Sequence, residues 1–134
     1  LAAGGRRLAP EALLEINALK TGALIAASVE IGAVAAGVAP AGCAVYRAYG
    51  EDVGEAFQIA DDVLDLTATS DQLGKTPGKD AKLGKPTFPI VFGVEPARRE
   101  AERLAERAVA HLEGAAISSP LLVALARFVV ARRL

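Results

Sequence analysis

The chain has 134 residues, 52% of them hydrophobic and 23% charged, enough apolar material for the core of one domain without covalent staples. Fifteen Lys and Arg against sixteen Asp and Glu give a formal net charge of -1, which excludes attraction of the whole chain to nucleic acid. One cysteine, Cys43, excludes an internal disulfide framework and a cysteine-rich zinc site, and fits a reducing cytoplasm.

The sequence begins at Leu1 and contains no methionine, and is read on that ground as a fragment. Arg6 and Arg7 are not followed by an apolar signal core, because Pro10, Glu11 and Glu15 interrupt it. From Ala12 to Val38 apolar residues run almost all round a helix, with Pro10 placed for a first turn. The stretch from Thr21 to Ala39 is apolar enough to raise a membrane span, but it is mostly Ala and Gly with Glu30 at its centre, so a buried helix is expected instead. Gly22, Gly32 and Gly37 weaken that helix and mark a kink or a close helix approach, and Pro40 and Gly42 are expected to end it.

From Gly42 to Thr67 the stripe Val53, Ala56, Phe57, Ala60, Val63, Leu64 and Thr67 has helical spacing. Gln58, Asp61, Asp62 and Asp65 project from the other side of the same helix. A connection rich in Gly, Pro and Lys follows from about Ser70 to Lys85, long enough to carry function. Pro89 to Gly93 is a short apolar piece, Pro96 opens a charged amphipathic helix to about Leu112, and Ser119-Pro120 reads as an N-cap before a last helix ending in Arg132 and Arg133. No segment alternates with period two, so the fold class is all-α.

DDVLD, Asp61 to Asp65, sets two carboxylates four residues apart with a third beside them, a like-charge cluster that a bound cation would stabilise. Mg²⁺ takes one or two carboxylates together with waters and phosphate oxygens, so this spacing suits it; the bland alternative is a solvated acidic face. Lys75, Lys79, Lys82 and Lys85 lie directly downstream, three of them in Gly-Lys steps where the backbone can approach an anion, and acid cluster plus basic loop fits a metal-diphosphate complex. A nucleoside triphosphate loop is rejected: five residues separate Gly78 from Gly84, and Pro86 stands where Ser or Thr is required. Lys20 sits in an apolar helix, where a kink could carry it to solvent; His111 reads as a surface residue and Cys43 is given no role.

Three blocks in order, KTGALIAASVEIGA, GEAFQIADDVLD and LGKTPGKDAKLGKPTFP, resemble the C-terminal half of trans-isoprenyl diphosphate synthases, over about Glu15 to the end. The resemblance implies part of an isoprenoid-synthase helical bundle, with residues 1–134 forming the C-terminal portion of one domain. It implies that Asp61, Asp62 and Asp65 are a second aspartate-rich motif binding Mg²⁺ on an allylic diphosphate, with Asp61 the principal ligand. Lys20, Lys75 and Lys85 would bind diphosphate; Lys20, Thr21 and Gln58 would stabilise the developing allylic cation, and Phe57 would wall the pocket. The implied partners are isopentenyl diphosphate and an allylic prenyl diphosphate, and a second copy of the chain in a homodimer. On this reading the acidic face turns into a cavity rather than to solvent.

The family's first aspartate-rich motif is not in this sequence, so the 134 residues alone are expected not to catalyse prenyl transfer. Competing readings are a non-catalytic subunit of a synthase complex and a structural bundle with coincidental charges. A terpene cyclase would carry a different second metal motif and no Gly-Lys-rich loop.

Overall fold

The computed structural model describes residues 21–67 and 87–132, and among them every regular element is a helix. They are α1 (Ala23–Ala35), α2 (Pro40–Thr67), α3 (Phe88–Phe92), α4 (Val94–Gly114) and α5 (Pro120–Ala131). None is long and apolar enough to cross a membrane. The Glu30 carboxylate that argued against a span accepts from Arg47 of α2 at 3.0 Å.

The long α2 is the centre of the arrangement, packed most extensively against α4 and then α1. Tyr49, Val53, Ala56, Ile59 and Val63 of α2 meet Ala97, Ala101, Leu104, Ala108 and Leu112 of α4, and α5 closes the core with Ala126 and Val129. Alanines along α4 let two long helices lie close, while Tyr49, Ile59, Leu104 and Leu112 are the largest fully buried side chains. Ser119 caps α5, its Oγ accepting from the Leu122 amide, with Pro120 at the first turn as expected.

Three boundaries differ from the sequence reading. Gly37, at φ 81, ends α1 in the left-handed conformation that favours glycine, but Pro40 opens α2 instead of closing the helix before it. A first-turn proline loses no hydrogen bond, because that N–H has no helical acceptor anyway. The charged helix likewise starts at Val94, two residues before Pro96. In the apolar stripe Val53, Ala56 and Val63 are buried, while Phe57, Ala60 and Leu64 are half-buried and Thr67 is exposed.

Two polar tethers join the helices across long sequence separations. Asp52 is buried and accepts from Arg107 of α4, Nε to Oδ2 at 2.7 Å with a second bond from Nη2 to Oδ1. His111 Nε2 stands 3.2 Å from Asp52 Oδ2, so this half-exposed histidine is tied to a buried acid and is not a plain surface residue. Tyr49 is fully buried and donates its hydroxyl proton to the Leu122 carbonyl at 2.7 Å, linking α2 to α5.

Burial pushes the Tyr49 phenol from 10.0 up to about 12. Because the folded protein resists losing this proton more than the unfolded chain does, the stability involved is intact below pH 10 and is lost as the pH rises towards 12, to the extent of about 2 to 3 kcal/mol. Tyr49→Phe is expected to cost about 1 kcal/mol at neutral pH and to flatten the alkaline fall in stability, measured by urea unfolding between pH 7 and pH 11 or so.

Candidate functional site

The site is built where α1 crosses α2, and small residues make the crossing close. A Cβ added at Gly54 would lie 2.5 Å from the Gly22 Cα, and one added at Gly50 would lie 2.6 Å from the Ala26 Cα. Both obstacles are backbone atoms, which cannot swing aside as a flexible side chain would. The two glycines, one helical turn apart, therefore let the backbones touch, and this holds the start of α1 over the middle of α2. Of the glycines expected to mark such an approach, Gly22 does so, Gly37 terminates a helix, and Gly32 faces open space.

At this crossing the Thr21 hydroxyl donates to Gln58 Oε1 at 3.0 Å, and Gln58 Nε2 donates to Asp62 Oδ1 at 2.9 Å. Thr21, Gln58 and Asp62, all singled out from the sequence, thus form one connected line. Thr21 and Gln58 are half-buried and Asp62 is buried, so the acidic side of α2 is not uniformly a solvated face. Asp62 lies on the flank of that side nearer the core residues Ile59 and Val63, whereas Asp61, 100° round the helix, is exposed, and Asp65 is half-buried. Neither Asp61 nor Asp65 is paired with a described cation; the ion pairs use Glu30, Glu51, Asp52, Glu95, Glu100 and Glu106 as acids, with Asp62 separately engaged.

Phe57 is half-buried with the Arg132 guanidinium 4.3 Å above its ring, within cation–π range. Arg132 also donates from Nε to the Val129 carbonyl at 3.0 Å, while its buried Nη2 has no hydrogen-bond partner among the described residues. The sequence reading missed this arginine as a neighbour of the site; the basic end of the last helix was its only signal. Lys20, Lys75 and Lys85 lie outside the described residues.

The donor chemistry suits Mg²⁺. Among the described residues no three His, Cys, Asp or Glu side chains gather into a metal cage. Mg²⁺ seldom uses one, binding through one or two carboxylates and filling its other positions with water and phosphate oxygens. Asp61 and Asp65, one turn apart, offer that smaller set. A cleft of about 370 Å³ beside Ala23, Ala26, Arg47, Glu51, Glu55 and Arg107 does not compete as an anion site. Its guanidinium groups are already paired, Arg47 with Glu30 and Glu51 and Arg107 with Asp52. Burial raises the Glu55 carboxyl above its ordinary value, opposed by Arg107.

Residues 4–117 match the family model described as Polyprenyl synthetase. The chain belongs to the polyprenyl synthetase family. It is 42% identical over 117 residues to the dimethylallyltranstransferase of Fischerella ambigua (strain UTEX 1903), covering 87% of this chain and 34% of that protein. It is 38% identical over 136 residues to the farnesyl diphosphate synthase of Escherichia coli (strain K12), covering 98% of this chain and 46% of the relative. The polyprenyl synthetase fold is matched in a crystal structure of geranyltransferase from Helicobacter pylori complexed with magnesium and isoprenyl diphosphate. The match has a TM-score of 0.74 at 29% identity over 94% of this chain and 41% of that one. The chain spans about a third to a half of the length of these curated relatives.

Gly54→Ala is expected to force α1 off α2, lowering stability by about 1 to 3 kcal/mol in urea unfolding and weakening the Thr21–Gln58 contact. Gly32→Ala, which meets nothing within 4 Å, is expected to leave stability unchanged or raise it.

Proposed function

We propose that this chain contributes the second aspartate-rich helix, with its adjoining Thr21 and Gln58, to a prenyltransferase that condenses an allylic diphosphate with isopentenyl diphosphate. The observation that carries the reading is the placement of Asp61 and Asp65 on α2, unpaired with any described cation, directly beside the Thr21–Gln58–Asp62 line. Family membership supports it, as does the likeness to the Helicobacter pylori geranyltransferase, a protein complexed with magnesium and isoprenyl diphosphate.

In this mechanism Asp61, as principal ligand, and Asp65 would hold a Mg²⁺-bound diphosphate, with Asp62 beside them. When bound, the ion supplies Lewis-acid neutralisation of the leaving group. Lys20, Lys75 and Lys85 bind the diphosphate oxygens as cations. The allylic C–O bond breaks with its electron pair leaving on diphosphate, and the oxygens of Thr21 and Gln58 face the positive charge left on carbon. The double bond of isopentenyl diphosphate then attacks that carbon, and loss of a proton gives a longer trans-prenyl diphosphate. Phe57, held under Arg132, helps wall off water that would otherwise capture the cation.

The chain is proposed to act as the C-terminal portion of one such domain, in a homodimeric, cytoplasmic enzyme. Leu24, Ile31 and Val34 of α1 are 70%, 67% and 60% exposed, an apolar row that further polypeptide of the same fold would cover. The 134 residues alone are expected not to condense the two diphosphates; appreciable turnover by the isolated chain would refute this division of the fold. In the complete synthase, Asp61→Asn is expected to lower kcat by about a hundredfold or more and to raise the Mg²⁺ requirement. Unchanged turnover in that variant would remove the metal-diphosphate reading.

A further inference from the structure

We infer that Asp62 is a positioning residue that sets the polarity of Thr21 through Gln58, rather than a ligand of the metal, so that the acidic triplet divides between two tasks. The inference rests on the prenyltransferase reading and sharpens it.

The hydrogens fix the direction of each bond in the line. An ionised carboxylate can only accept, so the group that Gln58 turns towards Asp62 must be its Nε2 amide, at 2.9 Å from Oδ1. The amide is rigid and planar, and once Nε2 is fixed on Asp62 its Oε1 must face the other way, towards Thr21. An oxygen without hydrogen requires a donor, so the Thr21 hydroxyl, 3.0 Å away, gives its proton to Gln58. Thr21 Oγ1 is then left with lone pairs alone on its remaining side, which suits a developing positive charge. One buried negative charge thereby fixes the orientation of two neutral dipoles in series.

Position separates Asp62 from the other two acids. It is 9% exposed and flanks the core, while Asp61 is exposed and sits 100° away round the helix. The Gly22–Gly54 contact holds the two ends of the line together, because neither backbone can move closer and a Cβ at residue 54 would part them. Without Asp62 the Gln58 amide can turn over, and Thr21 then has no obligation to point its hydrogen inward.

The test compares Asp61→Asn, Asp62→Asn, Gln58→Leu and the Asp62→Asn/Gln58→Leu pair in the full-length synthase, with kcat and the Mg²⁺ half-saturation measured for each. Asp62→Asn and Gln58→Leu are each expected to lower kcat by about tenfold, the pair by no more than the worse single change, and all three to leave Mg²⁺ half-saturation within about twofold. Asp61→Asn alone is expected to shift Mg²⁺ half-saturation strongly. If Asp62→Asn shifts it as Asp61→Asn does, or if the two single losses multiply in the pair, the positioning role is overturned while the metal-diphosphate reading stands. If Asp61→Asn leaves it unchanged, that underlying reading falls instead. A readout independent of turnover is the side-chain amide of Gln58 in the ¹⁵N spectrum of the full-length synthase. Its two N–H resonances are expected to move in Asp62→Asn and to stay in Asp61→Asn, and the reverse pattern would overturn the inference.

Discussion

The contact between Gly22 and Gly54, repeated one turn away between Ala26 and Gly50, is the constraint on which the rest of the structure depends. Helices usually meet through side chains and keep about 8 to 10 Å between their axes. Here the absence of side chains on one helix lets backbone press on backbone, and the first turn of α1 is carried to a polar residue of α2. Thr21 could not reach Gln58 across a crossing separated by leucines. The loss of helix propensity at each glycine, up to about 1 kcal/mol relative to alanine, is offset by the contact it permits.

Much of the architecture could be read directly from spacing. The stripe on α2 and the Ser119-Pro120 cap of α5 are local patterns, and local patterns reflect steric rules that act within a turn or two. The DDVLD motif likewise declared its own helix. Gly22 was legible as a close-approach glycine, but its counterparts Gly50 and Gly54 were not, since nothing in their own segment says what crosses them. The same limit explains Asp52: its partners Arg107 and His111 lie 55 and 59 residues away, so a single acid in mid-helix gave no hint of a buried pair.

The acidic residues of α2 show how far periodicity reaches. It places Gln58, Asp61, Asp62 and Asp65 on one arc, correctly, yet treats the arc as having one environment. The arc spans a boundary between the packed core and open space, and Asp61 and Asp62, adjacent in sequence, fall on opposite sides of it. Periodicity fixes an angle about one helix axis; the environment at that angle depends on neighbours that periodicity does not contain. The resemblance to a known family supplied the expectation of a cavity, and geometry adds that Asp62 is turned inward to a glutamine.

Asp52 and Gly54 lie two residues apart on α2 and face different neighbours, α4 through a two-point guanidinium grip and α1 through bare backbone. Together they leave α2 no freedom to roll about its own axis. On a helix whose side-chain tips ride about 5 to 6 Å from the axis, a roll of about 10° would sweep a carboxylate through about 1 Å. Displacements of that size cost positioned catalysts about a hundredfold in rate. The azimuth of Asp61 is therefore set two to three turns upstream, by an ion pair and a missing side chain that do not touch Asp61, and a substitution there would displace its carboxylate without altering it.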